Sequence, residues 1–128
     1  MQLYRLSGRK VCERVKNKGF LWKGKHLQAR MLRGLPRSLP ETAPAGLYIG
    51  VLTSAKLHKS AVRRNRMRRR CREAMRIILK DLPHLKKSSE TAQPLSRSVQ
   101  LLLMPRSSSL SAPFDEILAD AGHLIASL

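Results

Sequence analysis

Acidic side chains are scarce in this sequence: eight Asp and Glu stand against 26 Lys and Arg in 128 residues, a formal net charge of +18. A chain so unbalanced repels itself until a polyanion neutralises it, and nucleic acid is the commonest polyanion that rewards charge at this density. Aromatic residues are also few, two Phe, two Tyr and one Trp, so a core must come mainly from aliphatic side chains among the 42% apolar residues. Cysteine occurs only at Cys12 and Cys71, which allows one disulfide at most. No run of about eighteen apolar residues is available to span a membrane. Met1 to Lys10 lack the apolar stretch of a secretory leader. The expectation is a cytoplasmic protein with two free thiols. An anionic membrane is a weaker rival to nucleic acid as the partner, because the basic run is nearly all Arg and has no Trp, Phe or long apolar face to sink into lipid.

Catalytic equipment is missing as well. His26, His58, His84 and His123 are scattered and do not gather with the cysteines as zinc ligands would. Hydrolysis of a phosphodiester by protein groups needs paired carboxylates holding metal ions, or His and Lys placed as acid and base. The acids Glu13, Glu41, Glu73, Asp81, Glu90, Asp115, Glu116 and Asp120 offer no such set. Glu73, among arginines, reads as an ion-pair partner that keeps its helix tolerable. No Walker, GxGxxG, HExxH or nucleophile-elbow pattern occurs. The chain is expected to break no bonds by itself and to hold no metal with its own residues.

What is present is uneven charge on a foldable pattern. Residues 1 to 35 carry ten Lys and Arg against one acid, residues 56 to 76 another ten against one, and residues 91 to 128 two against three. The first and middle thirds should therefore build the binding face, and the last third should complete the fold. The length predicts a single domain over residues 1–128, and its charge assigns that domain to nucleic acid. Ser7 to Lys18 reads as a short helix with Val11, Cys12 and Val15 on an apolar stripe and Gly19 as the residue after its C-cap. Leu27 to Leu32 and Ala45 to Thr53 read as strands, with Gly50 marking a bulge or a close approach. Gly34 to Gly46, with three prolines, and residues 84 to 98 read as irregular connections. Val99 to Met104 is a strand. The last helix, capped by Ser111, turns Phe114, Ile117, Leu118, Ala121 and Leu124 or Ile125 to one face, with Asp115 and Glu116 favourably in its first turn. The order is helix, strands, helix, strand, helix, expected as α-β-β-β-α-β-α with one further strand before the middle helix, an α+β fold or mixed α/β sandwich in which helices cover a small central sheet.

The strongest helix starts near Ser60 and stops at Pro83. Its core, "RRNRMRRRCREAMR" at residues 63–76, packs eight arginines into fourteen positions. Met67, Cys71, Ala74, Met75, Ile78 and Leu82 follow steps of three and four, while Asn65, Arg68, Arg69, Arg72 and Arg76 follow another face. A disordered tail has no need of such a pattern. Arginine's rigid five-donor fork meets phosphate oxygens bidentately, which suits a structured backbone. Asn65 is suited either to a base edge or to fixing its neighbours. Phe20, Trp22 and Tyr48 are the available stacking groups; Phe20 and Trp22 read first as core in a chain short of large apolar side chains, whereas Tyr48, turned to the sheet face opposite Leu47 and Ile49, is the better binding candidate.

Ala61 to Glu73, "AVRRNRMRRRCRE", resembles the signature of the bacterial ribonuclease P protein component: an Ala-Val pair, the triplet Arg64-Asn65-Arg66, the basic pair Arg68-Arg69, then Arg72-Glu73. Weaker agreement runs over about 100 residues, through Arg5-Leu6, Val15, Gly19, Trp22 and Gly50. The resemblance implies a left-handed βαβ crossover, an exception to the usual rule. It also implies the accessory subunit of a ribonucleoprotein endonuclease, whose large RNA removes the 5′ leader of precursor tRNA with Mg2+. Carried over by position, the contacts to the catalytic RNA are Lys56, Lys59, Arg63, Arg64, Asn65, Arg66, Arg68, Arg69, Arg72 and Arg76. A leader-binding cleft between the first helix and the sheet is bordered by Arg14, Phe20, Trp22 and Tyr48. The chain departs from the family at Val11 and Cys12, where a Phe is common, and at Ala55-Lys56, where two lysines are usual. The alternative function is a general, ribosome-associated RNA-binding protein with no processing role.

Overall fold

The computed structural model describes residues 3–54, 56–86 and 98–128. Five strands, β1 (Leu3–Arg5), β2 (Phe20–Lys23), β3 (Leu27–Arg33), β4 (Leu47–Val51) and β5 (Val99–Pro105), form one sheet in the order β1-β4-β5-β3-β2. The helices are α1 (Arg9–Lys18), α2 (Ala61–Lys86) and α3 (Phe114–Ala126), with a 3-10 turn at Ser107–Leu110. β4 lies parallel to both β1 and β5, and β3 runs antiparallel to β5 and β2. Joining β4 to its parallel neighbour β5 takes a long crossover, and α2 lies in it.

Strand alternation divides the sheet into two unequal cores. Leu47 and Ile49, Leu101 and Leu103, and Leu27 and Ala29 face the side covered by α2 and α3, meeting Met75, Ile117, Ala121 and Leu124. Tyr48 and Leu102 face the other way, against Leu6 and the α1 residues Val11 and Val15. The strands are therefore sandwiched, which explains why β5 reads as an unbroken apolar run. Burying each Leu fully contributes about 2 kcal/mol, so the larger core carries most of the stability.

Several boundaries differ from the sequence expectations, each for a local reason. α1 begins at Arg9 because Gly8 holds φ at 102°, outside the helical region. Gly19 ends α1 with φ −72° and ψ 155°, already extended rather than left-handed, so the chain passes directly into β2. Glycine is still required there: a Cβ would strike the Val15 carbonyl and lie 3.1 Å from that of Met31. At Gly50 the expected close approach is the Leu6 carbonyl, 3.3 Å from where a Cβ would sit.

α2 does not stop at Pro83 but runs to Lys86, so Pro83 removes one backbone donor near the helix end without breaking it. Residues 84–86 of the expected connection are thus helical, and residues 87–97 lie outside the described residues. Residues 35–46 contain neither helix nor strand. Ser111 does not cap α3; Pro113 occupies that position and no side-chain cap is made.

His26 has a packing role the sequence does not reveal. Its backbone N–H donates to buried Asp120 at 2.6 Å, and its Nδ1 lies 3.0 Å from Ser108 Oγ, fastening the β2–β3 turn to α3 and the 3-10 turn. Beside it Lys25 bonds Glu116 at 2.6 Å. Lys25 first, and His26 with it, hold the Glu116 carboxyl below its ordinary 4.5. A carboxyl whose folded pKa is depressed contributes stability above its unfolded pKa and loses it as pH falls through the folded value. Glu116→Gln is therefore expected to flatten the loss of thermal stability seen on acidification below about pH 4.5, read by melting at a series of pH values. An unchanged acid limb would remove this pair from the account.

Both cysteines are free, Cys12 half-buried and Cys71 buried. Burial pushes the Cys71 thiol up to about 11 and raises Cys12 as well. Thiolate is the reactive form. At pH 8 a thiol reagent should label Cys12 slowly and Cys71 only after denaturant is added; rapid labelling of both in the native protein would contradict the burial.

Candidate RNA-binding interface

α2 sorts its residues by helical spacing. Met67, Cys71, Ala74, Met75 and Leu79 are buried, with Leu79 more deeply placed than the expected Ile78. The side chain of Leu82 lies outside the described residues. Arg63, Arg66, Arg69, Arg72 and Arg76 are exposed, and Arg64, Arg68 and Arg70 are half-buried. The same amphipathic period that fixes the helix on the sheet lifts a row of guanidiniums into solvent.

The half-buried arginines have structural partners. Arg64 Nη1 donates to the carbonyls of His58 at 2.7 Å and Lys59 at 3.2 Å. Arg68 donates to Asn65 Oδ1 at 2.8 Å and also to Thr53 Oγ1. Together they tie the loop after β4, which carries exposed Lys56 and Lys59, to the first turns of α2. That loop end is further ordered by Ser60, whose N–H donates to His58 Nδ1 at 2.9 Å and whose Oγ accepts from the Arg63 N–H at 3.4 Å. Asn65 thus has an internal partner in Arg68, the fixing role open to it in the sequence.

Arg70 is turned the opposite way, donating to the carbonyls of Ser109 at 2.6 Å, Leu110 at 2.8 Å and Ala112. Glu73 pairs with Arg76, whose hydrogen bond lowers the Glu73 carboxyl. Among the described residues no carboxylate lies within 4.0 Å of Arg63, Arg66, Arg69 or Arg72, and none of these four side chains has an internal hydrogen bond. Among the described residues they are charges without a counter-charge.

The aromatic groups are not brought together. Phe20 pairs with Met31 and Trp22 with Ala29, so both rings leave the sheet on the α2/α3 side. Phe20 is 74% exposed, whereas Trp22 is half-buried against the larger core. Tyr48 lies on the α1 side and is not an open stacking platform: it is 3% exposed and stacks on Tyr4 with centroids 5.1 Å apart. Its hydroxyl donates to the Pro44 carbonyl at 2.7 Å. A strand with alternating faces left Tyr48 two environments, and α1 covers the one it took.

Arg14 is half-buried on α1, on the same side of the sheet as Tyr48. Its Nε is buried and has no hydrogen-bond partner among the described residues, and the same holds for that of Arg30 on β3, whose Nη1 donates to the Gly19 carbonyl at 3.3 Å. A buried guanidinium donor left unpaired costs free energy until an acceptor arrives. Sequence reasoning missed Arg30, because one Arg in a strand that breaks its alternation carries no signal of its own.

Among the described residues there is no group of three or more His, Cys, Asp and Glu that could hold a metal ion, and no helix long and apolar enough to cross a membrane. The fold and the row of unpaired arginines define a small basic α/β RNA-binding protein. A family model described as ribonuclease P matches residues 1–128. The ribonuclease P protein component of Synechococcus sp. (strain RCC307) is 38% identical over 87 residues, 64% of this chain and 68% of that protein. Solved structures agree in fold at low identity. The Staphylococcus aureus RNase P protein superposes with TM-score 0.64 at 16% identity, over 98% of this chain and 95% of that one. The Thermotoga maritima RNase P protein gives 0.66 at 15%, over 97% and 96%. The chain belongs to the ribonuclease P family, as a protein component of the bacterial type.

Proposed function

We propose that the chain works by position and charge, binding the ribonuclease P RNA through α2 and the preceding loop, and the precursor-tRNA leader through the α1 side of the sheet. As the protein component it assists an RNA-catalysed removal of the 5′ leader from tRNA. The observation that carries the reading is the row Arg63, Arg66, Arg69 and Arg72: exposed, on a rigid helix, and unpaired among the described residues. Phosphates crowd around a folded RNA, and guanidiniums that neutralise them lower the concentration of divalent cation needed for the same fold. This reading assigns Mg2+ to the RNA-containing holoenzyme; among the described residues no cluster of ligands is present to hold it.

Arg64, Asn65 and Arg68 enter this reading differently from the exposed row. They hold the loop bearing Lys56 and Lys59 in place, so alanine there loosens a surface as well as removing charge. On the other side of the sheet, half-buried Arg14 and Arg30 bring cationic side chains that suit the phosphates of a single-stranded leader. Phe20 and Trp22 lie across the sheet from them and are left out of that cleft; Tyr48 serves as its buried support. Arg14→Ala is expected to weaken binding of leader-bearing precursor by about tenfold while leaving leaderless tRNA unaffected, in equilibrium binding to the reconstituted enzyme. Equal losses for both substrates would remove Arg14 from leader contact.

The test of the function is reconstitution at low magnesium. Cognate ribonuclease P RNA alone should process precursor tRNA poorly, and adding the protein should restore 5′ cleavage. Binding to ribosomal RNA with no stimulation of cleavage would favour the general RNA-binding alternative.

A further inference from the structure

Phe114 falls on the expected apolar face of α3, yet the structure leaves it half-exposed at the edge of a notch. The notch, about 400 Å³, lies between α2 and the start of α3 and is lined by Arg66, Arg69, Arg70, Arg72, Glu73 and Phe114. Arg70 builds it. By gathering the carbonyls of Ser109, Leu110 and Ala112, its guanidinium draws the turn before α3 against α2 and seats Phe114 beside the arginine row. Farther along α3, Ile117, Ala121 and Leu124 turn fully inward. Phe114, at the first helical position, is left with part of its ring on the core and part facing the arginines.

The chemistry is selective. Four arginines and one ring surround the space, and its only acid, Glu73, is engaged by Arg76. A simple anion would use the charge and leave the ring idle. An apolar ligand would use the ring and leave the guanidiniums unpaired. A nucleotide uses both, its base against the ring and its phosphate among the arginines. A duplex keeps its bases stacked inside, so the occupant must be unstacked.

We propose that this notch receives one unstacked nucleotide of the ribonuclease P RNA subunit, with Phe114 as the stacking platform and Arg66, Arg69 and Arg72 as phosphate contacts. This rests on the reading of α2 as the surface that binds that RNA. Arg70, held by three carbonyls, supplies fixed positive charge rather than a mobile contact. The RNA subunit is favoured over the leader because the notch shares its arginines with the signature helix, whereas the leader is assigned to the opposite side of the sheet.

The probe is the cognate RNA subunit in equilibrium binding, with melting curves to correct for folded fraction. Phe114→Leu keeps apolar bulk and removes the π face; Phe114→Tyr keeps the ring. Phe114→Leu is expected to weaken binding about five- to hundredfold without changing the salt dependence, while Phe114→Tyr binds like the unmodified protein. In a Trp22→Phe background, Phe114→Trp places the sole tryptophan in the notch, and its emission should be quenched on adding the RNA. Normal affinity of Phe114→Leu, with Arg69→Ala still weakening binding, would overturn the notch and leave the α2 reading standing. If Arg69→Ala has no effect either, both fall. If Phe114→Leu weakens binding of a leader oligonucleotide and not of the RNA subunit, the assignment to the RNA subunit is overturned.

Discussion

Replacing Arg66, Arg69 and Arg72 together by alanine is expected to lower affinity for the ribonuclease P RNA by roughly a hundredfold and to reduce the salt slope of binding by about one for each arginine removed. The fold should survive, because these side chains are exposed and none makes an internal hydrogen bond among the described residues. Helix propensity points the same way, since alanine is the best helix former. The combination separates binding from folding in a way that Arg64→Ala or Arg68→Ala cannot, given their bonds to His58, Lys59, Asn65 and Thr53. Filter binding across a salt series reads both quantities at once. An unchanged slope with lowered affinity would mean that these residues act through shape and not through phosphate contact.

The second large effect belongs to the arginine that points inward. Arg70→Met keeps the length of the side chain and its apolar stem but leaves the carbonyls of Ser109, Leu110 and Ala112 without their donor. Ser109 and Ala112 are buried, so water does not readily replace it. Hydrogen bonds to a charged group are worth about 1.5–3 kcal/mol each, and they share one guanidinium here; a total loss of about 3 kcal/mol is expected. For a domain of this size that lowers the melting temperature by roughly 10 °C. Calorimetry or circular dichroism checks it. Arg69→Met, one position away, should move the melting temperature by no more than a degree or two. Equal effects at the two positions would refute the division of α2 into an anchored and a free set of arginines.

That division marks the limit of what the sequence alone conveys. The steps of three and four along Met67, Cys71, Ala74 and Met75 place the buried stripe of α2 correctly, because helical period and burial are both local properties. The patterned block at Ala61 to Glu73 likewise carries the family. Partners distant in sequence are not local, and here the reading stops. Arg70 resembles its neighbours until the turn at Ser109 to Ala112 is brought beneath it, and His26 looks isolated until α3 supplies Asp120 and Glu116. Tyr48 alternates correctly in β4, but the cover provided by α1 decides that its face is closed. β1 is only three residues long and is called into the sheet by pairing with β4, so its own sequence scarcely announces it.

Site-specific crosslinking tests most directly whether the outward row of α2 meets RNA. A photo-reactive residue in place of Arg69, and another in place of exposed His123 near the end of α3, would be irradiated in the reconstituted particle. The account predicts adducts to the ribonuclease P RNA from position 69 and few or none from position 123. Equal yields from the two positions, or adducts from position 123 alone, would contradict it.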